Sequence, residues 1–211
     1  MWTPSTRVAG GVTALGGVCV ALAALPTDWF GPRPTDSYVF DPPRFSALWV
    51  ERTVIPVVAI AAALLLLVGL LALFYRDRAR LPRWQRWFAV VAVVGTAVGA
   101  LATMLVLTAG GRPTADPTAA LNVLLGVALG LLGALLALPG LVAWGAGYLQ
   151  SGHRRLGTAL VGGPAGTALV LAVNVAAGVS FGAVGGLVFA LPTAVAALLV
   201  GHDLWTRAPA G

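Results

Sequence analysis

Charge is scarce in this sequence. Of its 211 residues, 9% are charged and 59% are hydrophobic, and the mean hydropathy is +0.92. Water-soluble domains carry about 25% charged residues, so a soluble globular domain is excluded. Six membrane-crossing helices of about 20 residues each require about 120 apolar residues, which is close to what this composition supplies. The composition predicts an all-α, polytopic integral membrane protein with a single membrane domain over residues 1–211.

Lysine is absent. All thirteen basic residues are arginine, and with seven acidic residues they give a net charge of +6. A protein that binds nucleic acid clusters its positive residues on a folded, soluble face, whereas these arginines lie in short segments between apolar runs. We therefore expect them to set the membrane orientation, and we expect no nucleic-acid partner.

Residues that build cofactor sites are also few. Cys19 is the single cysteine, which excludes an intrachain disulfide and a cysteine-pair metal site. No Asp, Glu or Arg lies inside an apolar run, although an ionisable residue in the bilayer usually marks a function. This pattern argues against a proton-coupled carrier, an intramembrane metalloprotease and a haem held within the bilayer. The alternative of a metal or haem held by His153 and His202 at the membrane boundary is disfavoured, so we expect no cofactor.

Six apolar runs predict a bundle of six transmembrane helices. The prolines between the first two runs predict an irregular outer loop at residues 26–52. The first run also resembles a signal peptide, with a small-residue cleavage site at Ala21-Leu22-Ala23, but we prefer an uncleaved helix. We expect a kink at Pro139-Gly140 and a turn between the last two helices at Gly178 to Gly182. The predicted spans are residues 8–25, 53–74, 88–109, 119–149, 157–177 and 183–201.

The distribution of arginine predicts the orientation. The loop from Tyr75 to Trp87 holds five arginines, and arginine beside a span is retained on the cytoplasmic side during insertion. We therefore predict a cell-membrane protein with both termini cytoplasmic (N-in/C-in). The predicted inside holds nine arginines (Arg7, Arg76, Arg78, Arg80, Arg83, Arg86, Arg154, Arg155, Arg207) and the outside four (Arg33, Arg44, Arg52, Arg112).

A few polar side chains lie within the apolar runs. Asn122 lies near the outer end of the fourth run and Asn174 inside the fifth, and an amide in lipid needs a partner, usually on another helix. We prefer packing for both amides, with contact to a solute as the alternative. Hydroxyls are present at Thr96, Thr103, Thr167 and Thr193.

The five arginines of the loop from Tyr75 to Trp87 have two candidate roles. Each arginine near an anionic leaflet contributes about 1 kcal/mol of attraction, so the group is a candidate contact for lipid headgroups or for the acidic surface of a partner. We prefer a role in orientation alone. The candidate headgroup contacts are Arg76, Arg78, Arg80, Arg83 and Arg86.

Two classes of function remain. The first is a non-enzymatic membrane protein that acts by packing, as a structural or accessory subunit beside a membrane-protein partner or as a self-associating bundle. The alternative is a small permease or channel for a neutral or apolar solute. We predict no enzyme, because Ser180 has no base in its segment and no motif combines acid, base and nucleophile. A permease would line a polar cavity with Asn122 or Asn174, whereas a packing protein would pair these amides between helices.

Overall fold

The fold is a bundle of six helices. The computed structural model describes residues 6–26, 29, 50–109, 116–176, 178 and 181–206. Six helices in these residues are long and apolar enough to cross a membrane, which confirms the predicted all-α architecture. They are α1 (Thr6–Ala23), α2 (Ile55–Asp77), α3 (Arg83–Ala109), α4 (Pro117–Gln150), α5 (Arg154–Ala176) and α6 (Gly185–Thr206), with a π-helical turn at Val50–Val54 before α2 and a 3₁₀ turn at Gly182–Val184 before α6.

The helices extend beyond the predicted spans where the sequence becomes polar. α2 continues to Asp77 and α3 begins at Arg83, so most of the segment predicted as a loop, Tyr75 to Trp87, is helical. Arginine is a strong helix former, so charge marks the end of the apolar stretch and not the end of the helix. Most of the predicted outer loop, including Arg33 and Arg44, lies outside the described residues, as do Arg112 and Arg207 elsewhere in the chain.

The longest helix is α4, with 34 residues. At 1.5 Å per residue it is about 51 Å long, longer than the roughly 30 Å hydrocarbon core. Asp116 caps its start by accepting a hydrogen bond from the Thr118 amide at 2.9 Å. The helix runs through Pro139 without interruption. Its length therefore requires that α4 tilt or extend past the hydrocarbon.

The chain turns between α5 and α6 at glycine. Gly178 and Gly182 have φ values of 61° and 54°, a left-handed conformation that glycine adopts at little cost. These two positions bound the turn expected from the sequence. Val179 and Ser180, between them, lie outside the described residues.

The six helices form a closed ring. Each helix packs against the next in the chain, and α6 returns to pack against α1. α3 and α4 have the most extensive contact of any two neighbouring helices, whereas α2 and α3 have the least extensive contact in the ring. α3 and α4 run in opposite directions, because Gly95 lies beside Ala137 and Gly126 lies beside Ala102.

Glycines seven residues apart on α4 explain its close approach to α3. A Cβ built on Gly133 would lie 2.8 Å from the Gly99 nitrogen, and one on Gly140 would lie 2.7 Å from the Ala92 nitrogen. A spacing of seven keeps one face of a helix on a neighbouring helix. The α4 side of the interface is therefore built on four glycines at seven-residue spacing, Gly126, Gly133, Gly140 and Gly147, which we call the glycine heptad, and Gly133 among them meets Gly95 and Gly99 on α3.

One end of the ring collects most of the described arginines, and we call it the arginine-rich end. The start of α1 meets the end of α6 there, because a Cβ on Gly10 would lie 2.6 Å from the Gly201 carbonyl oxygen. The hydrophobic core is concentrated near this end. Its largest fully buried side chains are Leu73, Trp144, Leu156 and Leu204.

Candidate functional site

A central cavity of about 210 Å³ lies inside the ring, and every helix contributes to its wall. Its lining is built mainly from the side chains of leucine, alanine and valine, and of these lining residues none is ionisable. The lining residues lie about five to thirteen positions from the arginine-rich ends of their helices. At 1.5 Å per residue the cavity is therefore near the middle of the bundle.

Four threonine hydroxyls are the polar groups of the wall's side chains. Thr13 donates to the Ala9 carbonyl oxygen at 2.7 Å, and Thr96 donates to the Ala92 carbonyl oxygen at 2.8 Å. Thr167 and Thr193 face each other from α5 and α6, with their hydroxyl oxygens 3.3 Å apart. Three of these four threonines belong to the polar residues that the sequence places inside apolar runs, and Thr13 was missed.

The cavity is closed towards the arginine-rich end by the hydrophobic core. Leu70 and Leu141 line the cavity and also pack against the hydrophobic core that lies between the cavity and the arginine-rich end. Leu73, Trp144 and Leu204 in that core have no exposed surface. An apolar layer therefore separates the cavity from the polar groups at this end.

A polar cluster lies beyond that layer and joins three alternate helices of the ring. Arg76 of α2 pairs with Asp77, with Nε to Oδ1 and Nη2 to Oδ2 distances of 2.8 Å. The hydroxyl of Tyr148 on α4 donates to Asp77 Oδ2 at 2.5 Å, and Arg76 Nη1 lies 3.4 Å from Asp203 Oδ2 on α6. We call these four residues the Asp77 cluster. It ties α2, α4 and α6 together across the end of the ring.

Two further polar groups lie near this cluster. Gln85, which is buried at the start of α3, donates from Nε2 to the Trp144 carbonyl oxygen at 2.9 Å. The buried indole nitrogen of Trp144 has no hydrogen-bond partner within the described residues, although its ring lies 6.3 Å from that of Tyr148. The arginine-rich end is therefore held by polar contacts among α2, α3, α4 and α6.

The two candidate amides lie away from the cavity. Asn122 Nδ2 lies 3.3 Å from Thr108 Oγ1, which joins α4 to α3. Asn174 lies inside α5, where it is half-buried in the last turn before the helix ends at Ala176. Neither amide lines the central cavity.

The five candidate headgroup arginines divide into two groups. Arg76 is turned towards two carboxylates, with 17% of its side chain exposed. The other four are exposed. Arg78 stacks over the Tyr75 ring at 5.1 Å, and Trp84 and Trp87 are exposed nearby. Contact with lipid headgroups stays a prediction for Arg78, Arg80, Arg83 and Arg86, and Arg76 has protein partners.

Comparisons with family models, curated proteins and solved structures found no match to this chain. The geometry supports a multi-pass membrane protein, since its six helices are long and apolar enough to cross a bilayer.

Proposed function

We propose that this chain is a non-enzymatic, multi-pass protein of the cell membrane that acts by helix packing, as a self-associating bundle or accessory subunit. The observation that carries this proposal is a groove of about 380 Å³ on the outside of the ring, between α5 and α6. Gly162 forms part of its floor, and a Cβ built there would have no atom within 4 Å. Small residues at such a position let another helix approach closely.

The groove lies beside a matching ridge. Leu191, Val195 and Leu199 follow one another at four-residue spacing on α6, and they are 45%, 50% and 43% exposed. Rows of side chains four residues apart are the ridges that pack into grooves of a facing helix. A twofold pair of copies would place the ridge of each in the groove of the other.

The amide of Asn122 also supports packing. A packing protein pairs its intramembrane amides between helices, and Asn122 lies within hydrogen-bonding distance of Thr108 on the neighbouring helix. A permease that uses these amides would instead turn them towards a solute.

Filling the groove tests this proposal. In nanodiscs, native mass spectrometry of the wild type is expected to show a dimer or a complex with a stoichiometric partner. Gly162→Leu fills the groove and should abolish that association. Ala128→Leu, which also places a leucine at an exposed position, on α4 and outside the groove, should leave it intact. Association that survives Gly162→Leu, or a wild type that is monomeric and without a partner, contradicts the proposal.

The proposed orientation is N-in/C-in, supported by the excess of arginine at one end of the ring. Single cysteines in a Cys19→Ser background test it. An impermeant thiol reagent added to intact cells should label Ser46→Cys and spare Ala79→Cys and Ser151→Cys. Labelling of Ala79→Cys from outside would contradict the proposed orientation and support the opposite one.

A second candidate function is a permease or channel for a neutral or apolar solute. It is favoured by the closed ring of six helices around a central cavity without ionisable lining residues. Flux of such a solute into proteoliposomes, lost when the cavity is filled by Ala197→Leu, at a lining position outside the groove, and kept in Ala128→Leu, would support it. Equal flux in protein-free liposomes would reject it.

A further inference from the structure

The central cavity is large enough to hold a molecule. Protein interiors are close-packed, with few voids larger than a water molecule, and an engineered apolar cavity of about 150 Å³ binds benzene. The cavity here measures about 210 Å³. It therefore has room for a compact molecule somewhat larger than a benzene ring.

The wall determines the class of molecule. Of the lining residues, none carries a charge that could neutralise an ion, and an unpaired charge in such surroundings is strongly disfavoured. Apart from the four threonine hydroxyls, the lining side chains are hydrocarbon. The ligand must therefore be neutral and largely apolar.

The hydroxyls of the wall offer acceptors. Thr13 and Thr96 use their protons on carbonyls of their own helices. Thr167 Oγ1 lies 3.5 Å from the Phe189 carbonyl oxygen and 3.3 Å from Thr193 Oγ1, so we assign the Thr167 proton to Phe189 and the Thr193 proton to Thr167. A hydroxyl oxygen has two lone pairs, which leaves Thr193 Oγ1 able to accept.

The same wall holds Pro164, which lines the cavity on α5. Proline has no amide hydrogen, so it removes the helical hydrogen bond to the carbonyl four residues earlier. That carbonyl belongs to Leu160, which also lines the cavity. On α5, the cavity is therefore lined by a residue whose carbonyl has lost its helical partner, across from Thr193 on α6.

We infer that the central cavity binds a small neutral molecule with an apolar body and one hydrogen-bond donor, such as a phenol or a short alcohol, which donates to Thr193. This site is independent of the packing that we propose for the outer groove. The inference deepens the second candidate function by naming the class of solute, and binding is measured separately from flux.

The cavity continues into a neighbouring cleft. A cleft of about 580 Å³ lies among α2, α3 and α4, and it shares Leu66, Thr96 and Leu138 with the cavity. α2 and α3 have the least extensive contact in the ring.

The experiment compares two probes of nearly equal shape, 4-fluorophenol and 4-fluorotoluene, by fluorine NMR with the protein in nanodiscs. Empty nanodiscs correct for partition into lipid. Both probes should bind saturably, with 4-fluorophenol about fivefold tighter because it gains one hydrogen bond. Thr193→Val should remove the fivefold difference. Thr108→Val should not, because Thr108 lies outside both the cavity and the cleft and donates to the Leu105 carbonyl oxygen at 2.7 Å.

Filling the cavity provides a second measurement. Ala197→Leu, at a position that lines the cavity but not the outer groove, should abolish the binding of both probes. If circular dichroism shows that this variant is unfolded, the Thr193→Val comparison decides the question. No saturable binding, or equal binding of the two probes in wild type and Thr193→Val, overturns the inference. Saturable binding without flux would support this binding site and reject only the permease function.

Discussion

The two halves of the ring differ in how they are held. Near the arginine-rich end, fully buried Leu73, Trp144, Leu156 and Leu204 lie beside the Asp77 cluster, which spans three alternate helices. The central cavity and the α2 to α4 cleft lie in the middle and towards the far end, whereas close contacts at glycine occur in both halves, as at Gly10 and Gly133. Helices of the same apolar composition thus pack tightly near the arginine-rich end, which we call the sealed half, and leave cavities in the other half. The polar contacts mark the sealed half.

Removing the Asp77 carboxylate should have the largest effect on this contrast. Asp77→Ala leaves Arg76 and Tyr148 without their shared acceptor, and loss of one partner of a buried ion pair costs about 3 kcal/mol or more. The side chain of Asp77 is 13% exposed, so we expect the lower end of that range. Unfolding of the purified protein by denaturing detergent, followed by circular dichroism, measures the change in free energy.

A carboxylate at the far end is the control for Asp77. Asp116 caps α4, and Asp116→Ala should cost about 1 kcal/mol, as usual for a helix cap. Equal losses for the two variants would show that the Asp77 cluster does not distinguish the two halves.

The glycine heptad should give the next largest effect. Gly133→Ala places a methyl group 2.8 Å from the Gly99 nitrogen, and such overpacking costs about 1–3 kcal/mol. In Gly130→Ala, one turn earlier on α4, the nearest atom is Ala102 Cβ at 3.7 Å, an ordinary contact. That variant should be neutral or more stable, because alanine is favoured over glycine in a helix by up to about 1 kcal/mol. The same detergent unfolding checks both, and a stabilising Gly133→Ala would contradict the close α3 to α4 interface.

A smaller effect is expected from Asn122. Interhelical hydrogen bonds in membrane proteins contribute about 0.6 kcal/mol on average, and the Asn122 to Thr108 distance of 3.3 Å is long. A double-mutant cycle of Asn122→Ala and Thr108→Val should give a coupling free energy of about that size. Additive losses would show that the two side chains do not interact and would remove one support for the packing function.

The sequence predicted the six helices because a long apolar run has few alternatives to a membrane helix. It missed the Asp77 cluster because Arg76 and Asp203 are 127 residues apart, and no local pattern indicates that they meet. The glycine heptad of α4 was detectable in the sequence as a spacing of seven. The central cavity was not, since an empty space depends on the distances between helices and leaves no periodic pattern in the residues.

The smallest effect on the fold is expected from the exposed arginines. Arg78, Arg80 and Arg83 are exposed at the arginine-rich end, where each could contribute about 1 kcal/mol of attraction to an anionic leaflet. Replacing all three by glutamine leaves Arg76 in the Asp77 cluster and Arg86 on α3, so orientation and detergent stability should not change. If these arginines serve orientation alone, native mass spectra should show nearly the same bound lipids before and after the change. A selective loss of anionic lipid, with topology preserved, would instead assign them to headgroup binding and give the sealed half a role at the membrane surface.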